Sequence, residues 1–201
     1  MNSLNNLIND PYKFWLIDLD NTIYCESEEI NQLITNSYLS YISYKCRCNF
    51  FEANEINQEL YSKYGHSIIG AYKEKLILKS EIKNFFSFVH NLPIEEKATP
   101  NTKVIRLISS IKGRKFIFSN AYRPYIERIL AKLELEGEFE DIWDIYRLKL
   151  HCKPNHTSFE LFKSEYAINY SEMVLIDDSK TNLKSAQALG IHSYHPNVLT
   201  T

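Results

Sequence analysis

The chain has 201 residues, 44% of them hydrophobic and 24% charged. These proportions exclude general disorder, and the length suits one domain, or one domain with a sizeable insertion, better than two domains side by side. Lys and Arg number 23 against 25 Asp and Glu, for a net charge of -2, so no basic field draws the chain to nucleic acid or an anionic membrane.

No apolar run approaches the roughly 20 residues of a membrane-spanning helix. Met1 to Asp10 lacks the basic start and apolar stretch of a signal peptide, so a cytoplasmic address is expected. Cys25, Cys46, Cys48 and Cys152 lack the paired spacing of a zinc site and read as reduced structural thiols.

The first element is the short run Phe14-Trp15-Leu16-Ile17-Asp18, apolar without alternation and closed by an acid, as in a strand buried on both faces. From about Glu26 to Leu92 the pattern is helix after helix. Ile30, Leu33, Ile34 and Ile42 mark one apolar face, Ile56 and Leu60 a second, and Ile82, Phe85, Phe86 and Val89 a third. This predicts a small α-helical cap over residues 25–93, inserted into an α/β core of residues 1–24 and 94–201, with Leu92-Pro93 and Thr99-Pro100 marking the return.

Val104, Leu107, Ile108 and Ile111 then keep a helical period, with Gly113 as the expected stop. Lys115 to Ser119 is a second buried strand, and a helix from Pro124 carries Ile126, Ile129, Leu130 and Leu133 towards Gly137. Ile142 to Tyr146 is a weaker strand candidate. Met173 to Asp177 repeats the first strand's format, a helix with Leu183, Ala186 and Leu189 runs to Gly190, and Ile191 to Tyr194 closes the series. Strand alternating with helix predicts a Rossmann-like parallel sheet with helices on both faces.

In such a sheet ligands bind beyond the carboxyl ends of the strands. The three best strands deliver Asp18-Leu19-Asp20-Asn21-Thr22, Ser119-Asn120 and Asp177-Asp178 there, with Lys153 in a loop before a helix. Clustered carboxylates need a cation, and an all-oxygen set suits Mg²⁺. A carboxylate can serve as a nucleophile for phosphoryl transfer, and a second one can move the protons. Singly, each feature has a plainer reading: a turn-forming acid pair, a serine cap, a solvated lysine, or an acidic start to a helix.

Together they resemble the haloacid dehalogenase (HAD) superfamily. Asp18-x-Asp20-x-Thr22 is similar to its first motif, Ser119 to its second, Lys153 before Pro154 to its third, and Asp177-Asp178 to the paired-acid form of its fourth. Asp18-Leu19-Asp20-Asn21-Thr22-Ile23-Tyr24, Tyr61 to Gly65 with Gly70, Phe118 to Ala121, and Ile176 to Ser179 with Asn182 resemble the pyrimidine 5′-nucleotidase subgroup.

The resemblance implies Asp18 as nucleophile and Mg²⁺ ligand. It makes Asp20 the general acid/base that also offers its backbone carbonyl to the metal. Thr22 would brace the loop, with Ser119, Asn120 and Lys153 around the phosphate. Asp177 and Asp178 would hold the cation, directly or through water, with Asp178 as the inner-shell ligand of the two and Asp177 supplying the charge that Asn182 cannot. Tyr64, His66 and Tyr122 are candidate substrate contacts, while the six histidines as a group read as surface or loop residues. Asp20 favours phosphate chemistry over dehalogenation, because a halide leaves without a proton.

The expected activity is a Mg²⁺-dependent phosphomonoesterase acting on a small phosphorylated metabolite, a nucleoside 5′-monophosphate with a pyrimidine preference. The alternatives are a phosphatase for sugar phosphates or other metabolites, and a non-catalytic binding or regulatory protein of the same fold.

Overall fold

A computed structural model describes residues 4–25 and 27–199. Along the chain run α1 (Leu4–Ile8), β1 (Phe14–Ile17), β2 (Tyr24–Cys25), α2 (Glu28–Cys46), α3 (Phe50–Tyr64), α4 (Ser67–Lys73), α5 (Glu81–Val89) and β3 (Thr99–Pro100). Then follow α6 (Thr102–Ser110), β4 (Arg114–Phe118), α7 (Arg123–Lys132), β5 (Asp141–Trp143), α8 (His156–Tyr166), β6 (Met173–Ile176), α9 (Lys180–Ala188) and β7 (His192–Tyr194). Met1 to Ser3 of the amino-terminal stretch and the helical start read at Glu26 lie outside the described residues.

Five strands form a parallel sheet in the order β5-β4-β1-β6-β7. The central strand β1 is buried at all four positions, as its unbroken apolar run requires. Alternate side chains go to opposite faces. Phe14, Leu16, Phe116, Phe118 and Leu175 share a core with Phe159 and Phe162 of α8 and Leu183 and Ala186 of α9. Trp15, Ile17, Ile117, Val174 and Ile176, on the other face, are equally buried. The fold is therefore the expected α/β arrangement around a parallel sheet.

The chain divides into two compact units, Met1–Cys25 with Ala98–Thr201 and Glu26–Lys97. The second is helical, built from α2 to α5 and a one-turn 3₁₀ helix at Ile94–Glu96. It therefore extends past the return read at Pro93, to Lys97. Asn49 and Glu52 form a reciprocal capping box at the start of α3, and Ser27 caps α2. Inside this unit Leu39, Ile42 and Ala53 form a small core flanked by Cys46, Cys48 and Ile56.

Three local readings need correction. Gly113 does not end α6, whose cap is Ile111; a Cβ at Gly113 would lie 2.4 Å from the Lys13 carbonyl oxygen, so the glycine answers a close backbone approach. Helix α7 stops at Lys132, with Glu134 left-handed at φ 57°, well before Gly137. The strand expected over Ile142 to Tyr146 is Asp141–Trp143, since turns begin just beyond it. Thr99-Pro100 stands at the return, as read, just after the α/β unit resumes at Ala98, and it also pairs antiparallel with Tyr24-Cys25 in a ribbon too short for any alternation to show.

Candidate active site at the carboxyl ends of the strands

The Asp18 N–H donates to the Ile176 carbonyl at 2.9 Å, carrying the ladder one residue past β1 and fixing Asp18 at the sheet's end. Beyond it the chain turns at once. Thr22 N–H and Ile23 N–H both donate to the Leu19 carbonyl, and Asn21 takes a left-handed φ of 55°. Leu19 is buried and anchors the loop while Asp18 and Asp20 flank it. The Ser119 and Asp177 N–H groups likewise donate to the Trp143 and Tyr194 carbonyls, at the ends of β4 and β6.

Lys153 reaches the same place from the loop after β5. The Asn120 side chain holds that loop by both ends, its Oδ1 accepting from Lys153 N–H at 2.8 Å and its Nδ2 donating to the Lys153 carbonyl at 3.0 Å. The buried ammonium lies 2.8 Å from Asp18 Oδ1 and 2.7 Å from Asp177 Oδ2. Asp177 also accepts from Asn182 Nδ2 through both oxygens, at 2.9 and 3.1 Å, and from Ser179 N–H. Thr22 Oγ1 sits 3.4 Å from Asp18 Oδ2, and Ser119 Oγ accepts from Ala121 N–H.

Carboxylate oxygens of Asp18, Asp177 and Asp178 lie within 4.8 Å of one another. One lysine cannot neutralise three acids. Burial pushes Asp18 well above the usual carboxylate range, the Lys153 charge opposes this, and Asp177 and Asp20 add to it. Burial and then Asp177 also raise Asp178. Burial alone would push the Lys153 ammonium down, yet Asp177 and Asp18 outweigh it and hold it above its ordinary value. A hard divalent cation with oxygen ligands would relieve the remaining repulsion, so the donor set fits Mg²⁺.

The profile of the haloacid dehalogenase-like hydrolase family matches residues 15–195. The chain belongs to that family. Phosphate metabolism protein 8 of Saccharomyces cerevisiae is 25% identical over 198 residues, and this chain spans 61% of that protein's length. That alignment takes in 91% of this chain.

A HAD phosphatase from Thermococcus onnurineus has the same fold, with a TM-score of 0.59 at 18% identity over 90% of this chain and 84% of its own. So does a HAD family enzyme from Bacteroides thetaiotaomicron, solved as an aspartate-to-alanine mutant in complex with magnesium and inorganic phosphate. Its TM-score is 0.55 at 20% identity, over 91% and 93% of the two chains.

Against this HAD frame, Asp18, Asp20, Thr22, Ser119, Asn120, Lys153, Asp177 and Asp178 all lie at the carboxyl ends of the strands or in the loops directly beyond. Tyr122 is in the same unit, at the start of α7, with its ring edge-on to Tyr146 at 5.6 Å. Tyr64 and His66 belong to the helical unit and have partners there. The Tyr64 hydroxyl donates to Glu74, and Lys63 and Lys73 lie over its ring. His66 is buried against Phe86 and Tyr38. His66 and His90 are thus core residues, contrary to the surface reading of the histidines.

Tyr125 has no local sequence signal, yet its hydroxyl donates to Asp20 Oδ1 at 2.9 Å across 105 positions of chain. Tyr24 donates to the same oxygen at 2.6 Å. Burial raises the Asp20 carboxyl, and these two hydrogen bonds partly offset the rise.

Proposed function

We propose that this chain is a Mg²⁺-dependent phosphomonoesterase that passes the phosphoryl group through Asp18. The observation that carries this reading is the buried Asp18 carboxylate, which shares Lys153 with Asp177 and lies within 4.8 Å of Asp178. Asp18 and Asp178 would hold the cation, with the Asp20 backbone carbonyl. Asp178 accepts no side-chain hydrogen bond among the described residues, whereas Asp177 is engaged by Lys153 and Asn182. When bound, Mg²⁺ supplies positive charge against the clustered carboxylates and the phosphoryl oxygens.

An Asp18 oxygen attacks phosphorus and the bond from phosphorus to the leaving oxygen breaks. Asp20 gives its proton to that oxygen. Asp20, now a carboxylate, takes a proton from water, and the hydroxide attacks the Asp18 phosphoester. Phosphate leaves and both side chains return to their starting state. Lys153 holds Asp18 in place and faces the transferred group with a fixed positive charge. Ser119 and Thr22 supply short hydroxyls at the strand ends. Asn120 spends its amide on the Lys153 loop, so we assign it to placing Lys153.

The helical unit Glu26–Lys97 is read as a cap that excludes bulk water during turnover, with Tyr64 and His66 as its candidate substrate contacts. Tyr122 is the corresponding candidate in the core unit. We infer a nucleoside 5′-monophosphate substrate, pyrimidine-preferring, from the resemblance around Asp18 to Tyr24 and Tyr61 to Gly70. The magnesium and phosphate bound by the Bacteroides thetaiotaomicron enzyme support the same chemistry.

The test is phosphate release from a panel of nucleoside monophosphates and sugar phosphates, with Mg²⁺ and with EDTA. Uridine and cytidine monophosphates are expected to lead the panel. EDTA and Asp18→Asn should each reduce turnover by at least about a thousandfold. Activity indifferent to both would defeat the mechanism, and preference for a sugar phosphate would replace the substrate.

A further inference from the structure

Two tyrosines from distant parts of the chain converge on one oxygen of Asp20. Tyr24 and Tyr125 both donate to Oδ1, at 2.6 and 2.9 Å, and their hydroxyl oxygens lie 2.5 Å apart. Both rings are buried, at 0% and 1% exposure. Tyr24 is fixed by β2, opposite Pro100, and Tyr125 by the first turns of α7. Phenylalanine would fill the same space without a polar group to satisfy, so ring packing does not account for the hydroxyls. Among the described residues none hydrogen-bonds the other Asp20 oxygen, Oδ2.

A carboxyl group held by two donors on one oxygen loses most of its freedom to rotate about the Cβ–Cγ bond, and its second oxygen takes a defined direction. We propose that Tyr24 and Tyr125 are positioning residues for proton transfer, pinning Asp20 through Oδ1 so that Oδ2 is the atom that carries the proton. This rests on the reading of Asp20 as general acid/base. In the first half-reaction the Oδ2 proton moves to the leaving oxygen as its bond to phosphorus breaks, and the new carboxylate keeps both hydroxyl donors on Oδ1. In the second half-reaction Oδ2 takes a proton from the attacking water. The tyrosines keep their own protons throughout.

The experiment compares two esters of similar size. 4-Nitrophenyl phosphate releases a phenolate that needs no proton, and benzyl phosphate releases an alkoxide that does. The readout is the ratio of kcat/KM for benzyl to 4-nitrophenyl phosphate, measured in the full-length chain with Mg²⁺. That ratio cancels the fraction of folded enzyme, so a partly unfolded variant still reports.

Asp20→Ala should lower the ratio by at least about a hundredfold, the scale of general acid catalysis. Tyr24→Phe with Tyr125→Phe should lower it by about tenfold or more, with 4-nitrophenyl phosphate losing less than about threefold. Each single variant should fall between the double variant and the parent. If Asp20→Ala moves the ratio and the double variant leaves it unchanged, the tyrosine clamp is wrong while the role of Asp20 stands. If Asp20→Ala itself leaves the ratio unchanged, the general-acid reading fails and the clamp falls with it. No turnover of either ester by the parent chain would overturn both.

Discussion

At 2.8 Å from Asp18 and 2.7 Å from Asp177, Lys153 is a buried cation whose desolvation is offset only because both carboxylates face it. Its elevated pKa means that the stability it contributes is fully present below the unfolded-state value of about 10.5 and is lost only as pH rises through the higher folded value. His66 has the opposite sign. Burial pushes it down to about 4, and its Nδ1 has no partner among the described residues. The unfolded chain takes up that proton near pH 6.5, which the folded chain refuses until about pH 4, so stability should fall across this window on acidification. The loss approaches roughly 3 kcal/mol at full extent. Urea denaturation at pH 7 and pH 5 should therefore show a steeper decline for the parent than for His66→Leu. Parallel curves would mean that His66 is protonated in the folded state.

At the level of elements, two glycines near the core strands separate backbone need from mere permissiveness. A Cβ at Gly113 would press on the Lys13 carbonyl oxygen at 2.4 Å, where β4 begins beside the start of β1. At Gly137 nothing lies within 4 Å. Gly113→Ala should cost about 1–3 kcal/mol because backbone must shift to admit the methyl group. Gly137→Ala should be neutral or stabilising by about 0.4–1 kcal/mol, through loss of freedom in the unfolded chain. Chemical denaturation of the two variants checks the contrast, and equal effects would refute it. The same logic explains the misread helix end: α6 stops without a glycine, and the glycine after it answers to β1.

For the molecule as a whole, the sheet gathers Asp18, Asp177 and Asp178 at the carboxyl ends of its inner strands against a single lysine, a placement that favours metal binding over stability without metal. Burial and Asp177 raise Asp178, so its charge is held at a cost in the absence of a cation. Asp178→Asn should therefore melt at a higher temperature than the parent in EDTA, by a few degrees for each kcal/mol or so recovered. Added Mg²⁺ should raise the melting temperature of the parent and leave the variant nearly unmoved, since ligand binding to the native state alone is stabilising. An equal Mg²⁺ response in both would remove Asp178 from the metal site. No helix among the described residues is long and apolar enough to cross a membrane.

The order of buried strands and the acids that end them could be read from the amino-acid sequence. A strand covered on both faces must be an unbroken apolar run, and its first polar residue marks where the sheet meets a ligand. Asp18, Ser119 and Asp177 stand out for that reason. The tertiary structure alone decided which side chains meet. It joined Lys153 to Asp18 across 135 positions and Tyr125 to Asp20 across 105, buried His66, and turned Asn120 towards the Lys153 loop. Periodicity records which face of an element is covered, but the partner on that face is set by packing between segments far apart in the chain.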